Sequence, residues 1–188
     1  MLPSAVSPAV RKLEESPMSG ERIRVSIDGI SNYFSQHPEK ARGPDPKAVA
    51  VVEQGLRCRV EGANGAMLVT DMPKGVGGAA TAPTPGWFLR AALASCDATM
   101  IAMRAAQLGV TLSSLEVTVE SESDNRGLLG LAGAEFPGPL AVRIVVRLGA
   151  EGVPAEQLRQ IVKWAEEHSP VGDAVRRAIP SAVDIEVV

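Results

Sequence analysis

The chain has 188 residues, a formal net charge of −3 and an aromatic content of 3%. This length suits one domain with an extension, while the acidic balance and the few aromatic residues argue against nucleic-acid binding. No apolar run reaches the ~18 residues of a membrane-spanning helix, and the first residues lack the layout of a signal peptide. We therefore expect a cytoplasmic protein with no membrane partner.

The cysteine and histidine residues form no pattern typical of a metal site or a disulfide framework. Cys58 and Cys96 are the only cysteines, and His37 and His168 are the only histidines. They are too few and too dispersed for a usual zinc site. No glycine-rich phosphate-binding motif is present. The sequence therefore predicts neither a metal nor a cofactor.

We interpret residues 1–45 as an N-terminal extension. Residues 1–20 contain three prolines and show no clear period. Four apolar residues at helical spacing then predict a helix over residues 21–37. A glycine weakens that prediction, and a short strand over residues 23–27 is the alternative.

Alternating apolar and charged residues indicate strands after this extension. Residues 47–61 predict a strand with Leu56 and Cys58 on one face. The sequence GANG at residues 62–65 predicts a hairpin turn, and residues 66–70 predict the returning strand. A loop rich in glycine, proline and alanine then leads to the next helix.

Residues 83–110 predict one long helix. Thr84 is a suitable N-cap, Pro85 suits the first helical position, and Gly109 is a natural stop. Apart from one narrow polar stripe, the circumference is apolar or small, which is typical of a helix buried in the middle of a domain. The stripe consists of three charged residues spaced by seven, Arg90, Asp97 and Arg104.

The second half of the chain predicts further strands and helices. Residues 115–119 and 140–148 alternate between apolar and polar side chains, as strands do. A helix opens at Pro154 and is broken by Pro170, a short helix follows, and residues 182–188 predict a last strand. Because the strands come in pairs, the order indicates an α+β fold with an antiparallel-rich sheet.

Cys96 lies in the centre of the long helix and has two interpretations. Its helical neighbours are mostly apolar, and a free cysteine on such a face often only packs. A reactive thiolate needs a nearby cation or helix terminus, and Asp97, next in sequence, disfavours a thiolate. A functional Cys96 therefore requires a partner from elsewhere in the fold. Cys58, on the apolar face of its strand, is interpreted as a packing residue.

Other side chains also have a structural and a functional interpretation. His168 beside Ser169 is compatible with acyl transfer, but no orienting carboxylate or nucleophile-elbow motif accompanies it. A helix-terminal histidine is the simpler interpretation. Four residues either fill the core and a subunit contact or line and cover an apolar ligand pocket beside Cys96: Leu93, Met100, Met103 and Trp87.

Three segments, in this order, resemble the family of osmotically inducible protein C and the organic hydroperoxide resistance proteins (OsmC/Ohr). GVGGAATAPTPGWFLRAALASCDATM is similar to the glycine-rich loop, the step before proline and the AALAxC helix of that family. SDNRGLLG is similar to its D-x-R-G-x-x-G turn, and WAEEHSPVGDAV to its A-x-x-H-C-P-V segment. The resemblance covers about residues 48–188, and we assign residues 46–188 to an OsmC-like domain.

The resemblance implies an OsmC-like α+β fold, in which antiparallel-rich sheets wrap around the long buried central helix. It further implies an intertwined homodimer with its sites at the subunit interface. Cys96 matches the position of the family's peroxide-attacking cysteine.

The chain departs from the family pattern at three other positions. The family's resolving cysteine corresponds to Ser169, and a hydroxyl cannot form the disulfide that removes a sulfenic acid. The family's glutamate corresponds to Gly86, and Lys74 is the only basic residue in the loop where the family carries its arginine. Cys58 replaces the resolving cysteine only if its Cα lies within about 7 Å of that of Cys96.

Two functions follow from this resemblance. In the first, Cys96 reduces a small organic hydroperoxide, and an external thiol serves as the reductant. In the second, the protein is a non-catalytic homodimer that binds a small apolar ligand in the interface pocket.

Overall fold

The computed structural model describes residues 20–188, which contain five α-helices and five strands. In chain order they are α1 (Gly20–Gln36), β1 (Val49–Gln54), β2 (Arg57–Glu61), β3 (Met67–Thr70), α2 (Pro85–Gln107), β4 (Ser114–Ser123), α3 (Asn125–Leu128), β5 (Pro139–Gly149), α4 (Ala155–His168) and α5 (Pro170–Arg176). The mixture of helices with antiparallel sheets confirms the predicted α+β class. The proposed boundary at residue 45 stays a prediction.

One compact unit comprises Ser26–Ala92 and contains a three-stranded antiparallel sheet in the order β1-β2-β3. The prediction of a single strand over residues 47–61 is wrong, because the chain reverses at Gly55. That residue has a φ of 56°, a conformation that glycine adopts without steric penalty. The predicted turn at residues 62–65 is present, and β2 pairs with β3 across it.

Asp71 holds the loop that connects β3 to α2. Its carboxylate accepts hydrogen bonds from the backbone N–H groups of Met72 (2.8 Å), Ala79 (3.4 Å) and Thr81 (2.9 Å), and from the Thr81 hydroxyl (2.8 Å). These donors, those of Thr81 above all, lower the pKa of Asp71 to about 2. Asp71 is only 1% exposed, because the loop residues that donate to its carboxylate surround it. At Gly78, a Cβ atom would overlap the Met72 carbonyl group.

The second compact unit, described here for residues 20–25 and Leu93–Val188, has its core between α2 and α4. Ile101 and Ala105 of α2 pack against Ile161 and Ala165 of α4, and all four are buried. The antiparallel pair β4–β5 adds apolar side chains to this core. They are Leu115, Val117, Val146 and Leu148.

The central helix follows its predicted bounds closely. Thr84 caps α2, since its side-chain oxygen accepts the backbone N–H of Trp87 at 3.2 Å. At the other end Gly109 has a φ of 68°, and the N–H of Val110 returns to the Ala105 carbonyl at 2.8 Å. This is the left-handed helix stop that glycine favours.

Several finer expectations need correction. Residues 21–37 form a helix, so the alternative strand over residues 23–27 is wrong. Residues 125–128, expected as part of a turn, form the short helix α3. Residues 182–188 form no strand. Within residues 20–188, no helix is long and apolar enough to cross a membrane, and no three potential metal-ligating side chains cluster together.

The Asp71 interactions predict a specific acid sensitivity. A pKa near 2 in the folded chain, against an ordinary value of 3.8, means that this carboxylate contributes stability above about pH 4. That contribution is lost as the pH falls from about 4 towards 2, because the protonated group no longer accepts four hydrogen bonds as an anion. We expect urea unfolding of Asp71→Asn to show a lower free energy of unfolding at pH 6 and a weaker dependence on pH between 4 and 2.

Asp45→Asn is the matched control, because Asp45 is an exposed carboxylate in the same unit. It should unfold as the unsubstituted protein does at every pH. Identical pH profiles for Asp71→Asn and the unsubstituted protein would contradict the role given to Asp71.

Candidate functional site

Cys96 and Ser169 meet in the structure although they are 73 residues apart in sequence. The Ser169 hydroxyl donates a hydrogen bond to the Cys96 sulfur at an Oγ–Sγ distance of 3.3 Å. Ser169 is fully buried, whereas Cys96 is only partly buried. Cys96 therefore keeps some exposed surface, and the group that touches its sulfur is fixed.

Ser169 is held at this place by the junction between α4 and α5. It ends α4 and is the N-cap of α5, where its Oγ accepts the backbone N–H of Gly172 at 3.1 Å. Pro170 follows at the first position of α5, which suits its missing N–H. One hydroxyl group thus caps a helix and contacts the sulfur.

Gly172 is required by the close packing around that hydroxyl. A Cβ atom at this position would lie 3.0 Å from the Ser169 Oγ and 2.9 Å from an Arg176 guanidinium nitrogen. Arg176 itself donates to the Glu166 carbonyl oxygen at 2.7 Å and so ties α5 back to α4. The position of Ser169 is therefore fixed from both helices.

Two side chains near the end of α4 and one from α2 stack together close to Ser169 in the sequence of α4. The Trp164 and His168 rings are stacked with centroids 4.1 Å apart, and the Arg104 guanidinium lies 4.6 Å from the Trp164 ring centroid. His168 Nδ1 lies 2.7 Å from the Trp164 carbonyl oxygen. A carbonyl only accepts, so Nδ1 carries the proton. His168 thus has a structural role at the helix terminus.

Asp97 occupies an unexpected position. It was predicted within a polar stripe, yet its surface is only 2% exposed, and it lies among the buried residues Leu93, Ile101 and Ala105 of α2. Neither carboxylate oxygen has a hydrogen-bond partner within the described part of the chain. Charge spacing in the sequence shows that Asp97, Arg90 and Arg104 share one side of the helix, but it does not show which side packs.

The remaining predicted site residues are distributed over both units. In the unit of Cys96, Leu93 is buried while Met100 and Met103 are partly buried. Lys74 and Trp87 belong to the other unit, where both are exposed. Trp87 packs edge-to-face on Phe88 at 5.1 Å between ring centroids. The roles predicted for these residues beside Cys96 remain predictions.

Gly86 and Cys58 also lie in the unit Ser26–Ala92. Gly86 is exposed in the first turn of α2, and Cys58 is partly buried in β2, where it pairs with Val52 and Thr70. The packing interpretation of Cys58 therefore agrees with its place inside a sheet.

A surface groove lies between β5 and α4. Val146, Leu148, Leu158 and Val162 form its apolar lining, and Arg159, Lys163 and Glu166 contribute the charged groups. Leu93, Met100 and Met103, the predicted pocket residues of this unit, do not line it. The groove is thus separate from the pocket that the sequence predicts.

The sequence matches the family model described as OsmC-like protein over residues 77–184. No curated protein matches it. The matched segment contains the end of the loop before α2, all of α2, and both residues of the Cys96–Ser169 contact.

Solved structures share the fold at low sequence identity. An OsmC-like protein from Mycoplasma pneumoniae has a TM-score of 0.60 and 13% identity, covering 72% of this chain and 89% of its own. An OsmC-like protein from Vibrio cholerae has a TM-score of 0.57 and 13% identity, covering 71% and 95%. An organic hydroperoxide resistance protein from Elizabethkingia anophelis has a TM-score of 0.54 and 18% identity, covering 72% and 90%.

The two roles of the Ser169 hydroxyl are separable by a double-mutant cycle. We expect Ser169→Ala to lower the free energy of unfolding by ~1 kcal/mol, since it removes an N-cap. The same loss should occur in a Cys96→Ala background, with a coupling energy below ~0.5 kcal/mol, because the sulfur contact contributes little to stability. Chemical denaturation of the four proteins measures this.

Ser169→Ala should also change the rate at which iodoacetamide alkylates Cys96 severalfold, because the sulfur loses the hydroxyl group that contacts it. An unchanged alkylation rate would show that the 3.3 Å contact does not act on the sulfur.

Proposed function

Since the chain belongs to the family of OsmC-like proteins, we propose that it reduces small organic hydroperoxides through Cys96. One observation carries this proposal, the contact between the Cys96 sulfur and the Ser169 hydroxyl at 3.3 Å. Ser169 stands where the OsmC/Ohr pattern has its second cysteine. A structural relative from Elizabethkingia anophelis is an organic hydroperoxide resistance protein, which supports the substrate class.

The first step is attack of the Cys96 thiolate on the outer oxygen of the hydroperoxide. The O–O bond breaks as the S–O bond forms, the sulfur is oxidised to a sulfenic acid, and the alcohol leaves after taking up a proton. The Ser169 hydroxyl is placed to donate a hydrogen bond to the thiolate before the attack.

Ser169 then determines how the cycle ends. It cannot form a disulfide, so an external thiol condenses with the sulfenic acid to a mixed disulfide and water. A second thiol releases the reduced enzyme as a disulfide forms between the two external thiols. Lys74 remains the candidate cation for activating Cys96, in place of the family's arginine.

We further propose that the protein works as a homodimer. In the unit Ser26–Ala92, the strand β1 is exposed along its whole length, with Val52 at 66% and Met67 of β3 at 68% exposure. Val183, Ile185 and Val187 of the C-terminal segment are at least 83% exposed. Apolar surface of this extent is typical of an interface. These exposures support a dimer; we further propose that it is intertwined, that residues 46–188 form its OsmC-like domain, and that it is located in the cytoplasm.

A second function is favoured by the absence of a sulfur at position 169. Without a resolving cysteine, Cys96 is one partly buried side chain beside Leu93, Met100 and Met103 on α2. A non-catalytic dimer that binds a small apolar ligand at this surface needs no turnover. Such a protein would bind a hydrophobic fluorescent probe saturably and consume no hydroperoxide.

The peroxidase proposal predicts consumption of cumene hydroperoxide that depends on Cys96 and on added dithiothreitol. Cys96→Ser should reduce the rate to the uncatalysed level, while Cys58→Ser should leave it unchanged. Mass spectrometry should find a sulfenic acid on Cys96 when no thiol is present. Equal rates for Cys96→Ser and the unsubstituted protein would exclude the proposed mechanism.

Ser169→Cys tests the geometry of the same site. A cysteine at 169 has its sulfur near the present Oγ position, so one rotamer adjustment brings it to the ~2.05 Å of a disulfide. We expect hydroperoxide to convert this variant to an intramolecular 96–169 disulfide, visible by mass spectrometry as the loss of two hydrogen atoms. The disulfide should protect Cys96 from oxidation to the sulfinic acid.

The dimer proposal predicts a species of about twice 19.7 kDa in sedimentation equilibrium. Val52→Lys should weaken the dimer at least tenfold, because it places a charge on apolar surface that the interface covers. Gln54→Lys adds the same charge to the same strand without removing an apolar side chain, and should have a smaller effect. A monomer at all concentrations would contradict the proposal.

A further inference from the structure

The groove between β5 and α4 is an opening that the proposed function does not use. Its volume is about 450 Å³, which lies within the range of small-molecule sites. Eight residues line it, all of them in the compact unit that contains Leu93–Val188. A specific protein–protein interface involves about 20–30 residues on each side. The groove therefore has the size for a small ligand rather than for a protein.

The apolar floor of the groove consists of four side chains that also pack against the core. Val146 and Leu148 alternate along β5, so they point to the same face of the strand. Leu158 and Val162 lie one turn apart on α4. All four are partly buried and contact the buried cluster between α2 and α4. The apolar floor is therefore preformed, and a ligand that covers it removes apolar surface from water.

Two cations lie beside the apolar floor. Arg159 and Lys163 are one turn apart on α4, both line the groove, and both are exposed. Arg159 contacts Glu156 at 3.3 Å, but these side chains are 73% and 70% exposed, and an ion pair in such surroundings contributes little. Glu166 is the only acidic residue among the eight that line the groove. The lining therefore carries a net positive charge.

We propose that the groove binds a small amphiphilic anion, an alkyl carboxylate. Its chain lies over the apolar floor, and its carboxylate lies between Arg159 and Lys163. Charge complementarity determines the head group. A carboxylate accepts strong hydrogen bonds from a guanidinium and an ammonium group, whereas a cationic head group would meet two like charges. Cys96 does not line the groove, so this binding site is independent of the proposed peroxide chemistry.

Isothermal titration of the full chain with octanoate, octanol and octylammonium measures the contribution of the head group. We expect octanoate to bind at least tenfold more tightly than octanol, and octylammonium to bind least. Arg159→Gln combined with Lys163→Gln should remove the preference for octanoate, because both cations are lost. Arg143→Gln combined with Lys40→Gln removes the same charge at exposed positions that do not line the groove, and should keep the preference. Equal binding of the three probes, or no binding of any, would overturn the proposal.

Carboxylates of increasing length measure the contribution of the apolar floor. From butanoate to octanoate, we expect the affinity to increase about two- to fourfold for each added methylene group, because each one is transferred from water to apolar surface. Ala155 lines the groove at the exposed start of α4. Ala155→Trp should therefore fill that end and weaken octanoate binding more than butanoate binding, whereas Ala155→Ser should weaken neither. An affinity that does not depend on chain length would overturn the proposal.

Amide chemical shifts in NMR spectra locate the bound ligand. Octanoate should change the signals of residues 146–149 and 155–166, which include the whole lining of the groove. Changes confined to α2 would place the ligand beside Cys96 and overturn the proposal. Conversion of a dimer to a monomer by octanoate, seen in sedimentation equilibrium, would show that the groove is a contact between two copies of the chain, and would overturn it as well.

Discussion

The packing of α2 on α4 determines the geometry of the Cys96 site. Ile101 and Ala105 share one fully buried apolar cluster with Ile161 and Ala165. Residue 96 lies about one turn before this contact on α2, and Ser169 lies one residue beyond the end of α4. This shared core joins the two helices that carry the Cys96–Ser169 contact, so a substitution that disrupts the core would also change the Oγ–Sγ distance.

Local chemistry predicts the elements of this chain better than it predicts their contacts. The bounds of α2 follow from Thr84, Pro85 and Gly109, since caps and stops act within one helical turn. The contact between Cys96 and Ser169 depends on tertiary packing between segments 73 residues apart. No periodicity predicts such a contact, and only the family resemblance relates the two positions. The burial of Asp97 was missed for the same reason.

The errors in the strand predictions also have physical causes. The reversal at Gly55 was missed because Leu56 continues the apolar alternation of the strand beyond the turn. Residues 182–188 alternate as a strand does, but a strand needs a neighbour with free hydrogen-bonding groups. The described chain gives them no such neighbour, and Val183, Ile185 and Val187 remain exposed. The alternating pattern thus depends on the sequence of the segment alone, whereas strand formation also requires a neighbouring strand that pairs with it.

The stacked side chains at the end of α4 have a spectroscopic consequence. The sequence contains two tryptophans, and the Trp164 ring contacts both the Arg104 guanidinium and the His168 ring. A movement of the helix end would change the position of both groups relative to the indole, and indole emission depends on such neighbours. Trp164 emission is therefore an intrinsic optical reporter of the α4–α5 junction, five residues before the hydroxyl that touches Cys96, and a Trp87→Phe background isolates its signal.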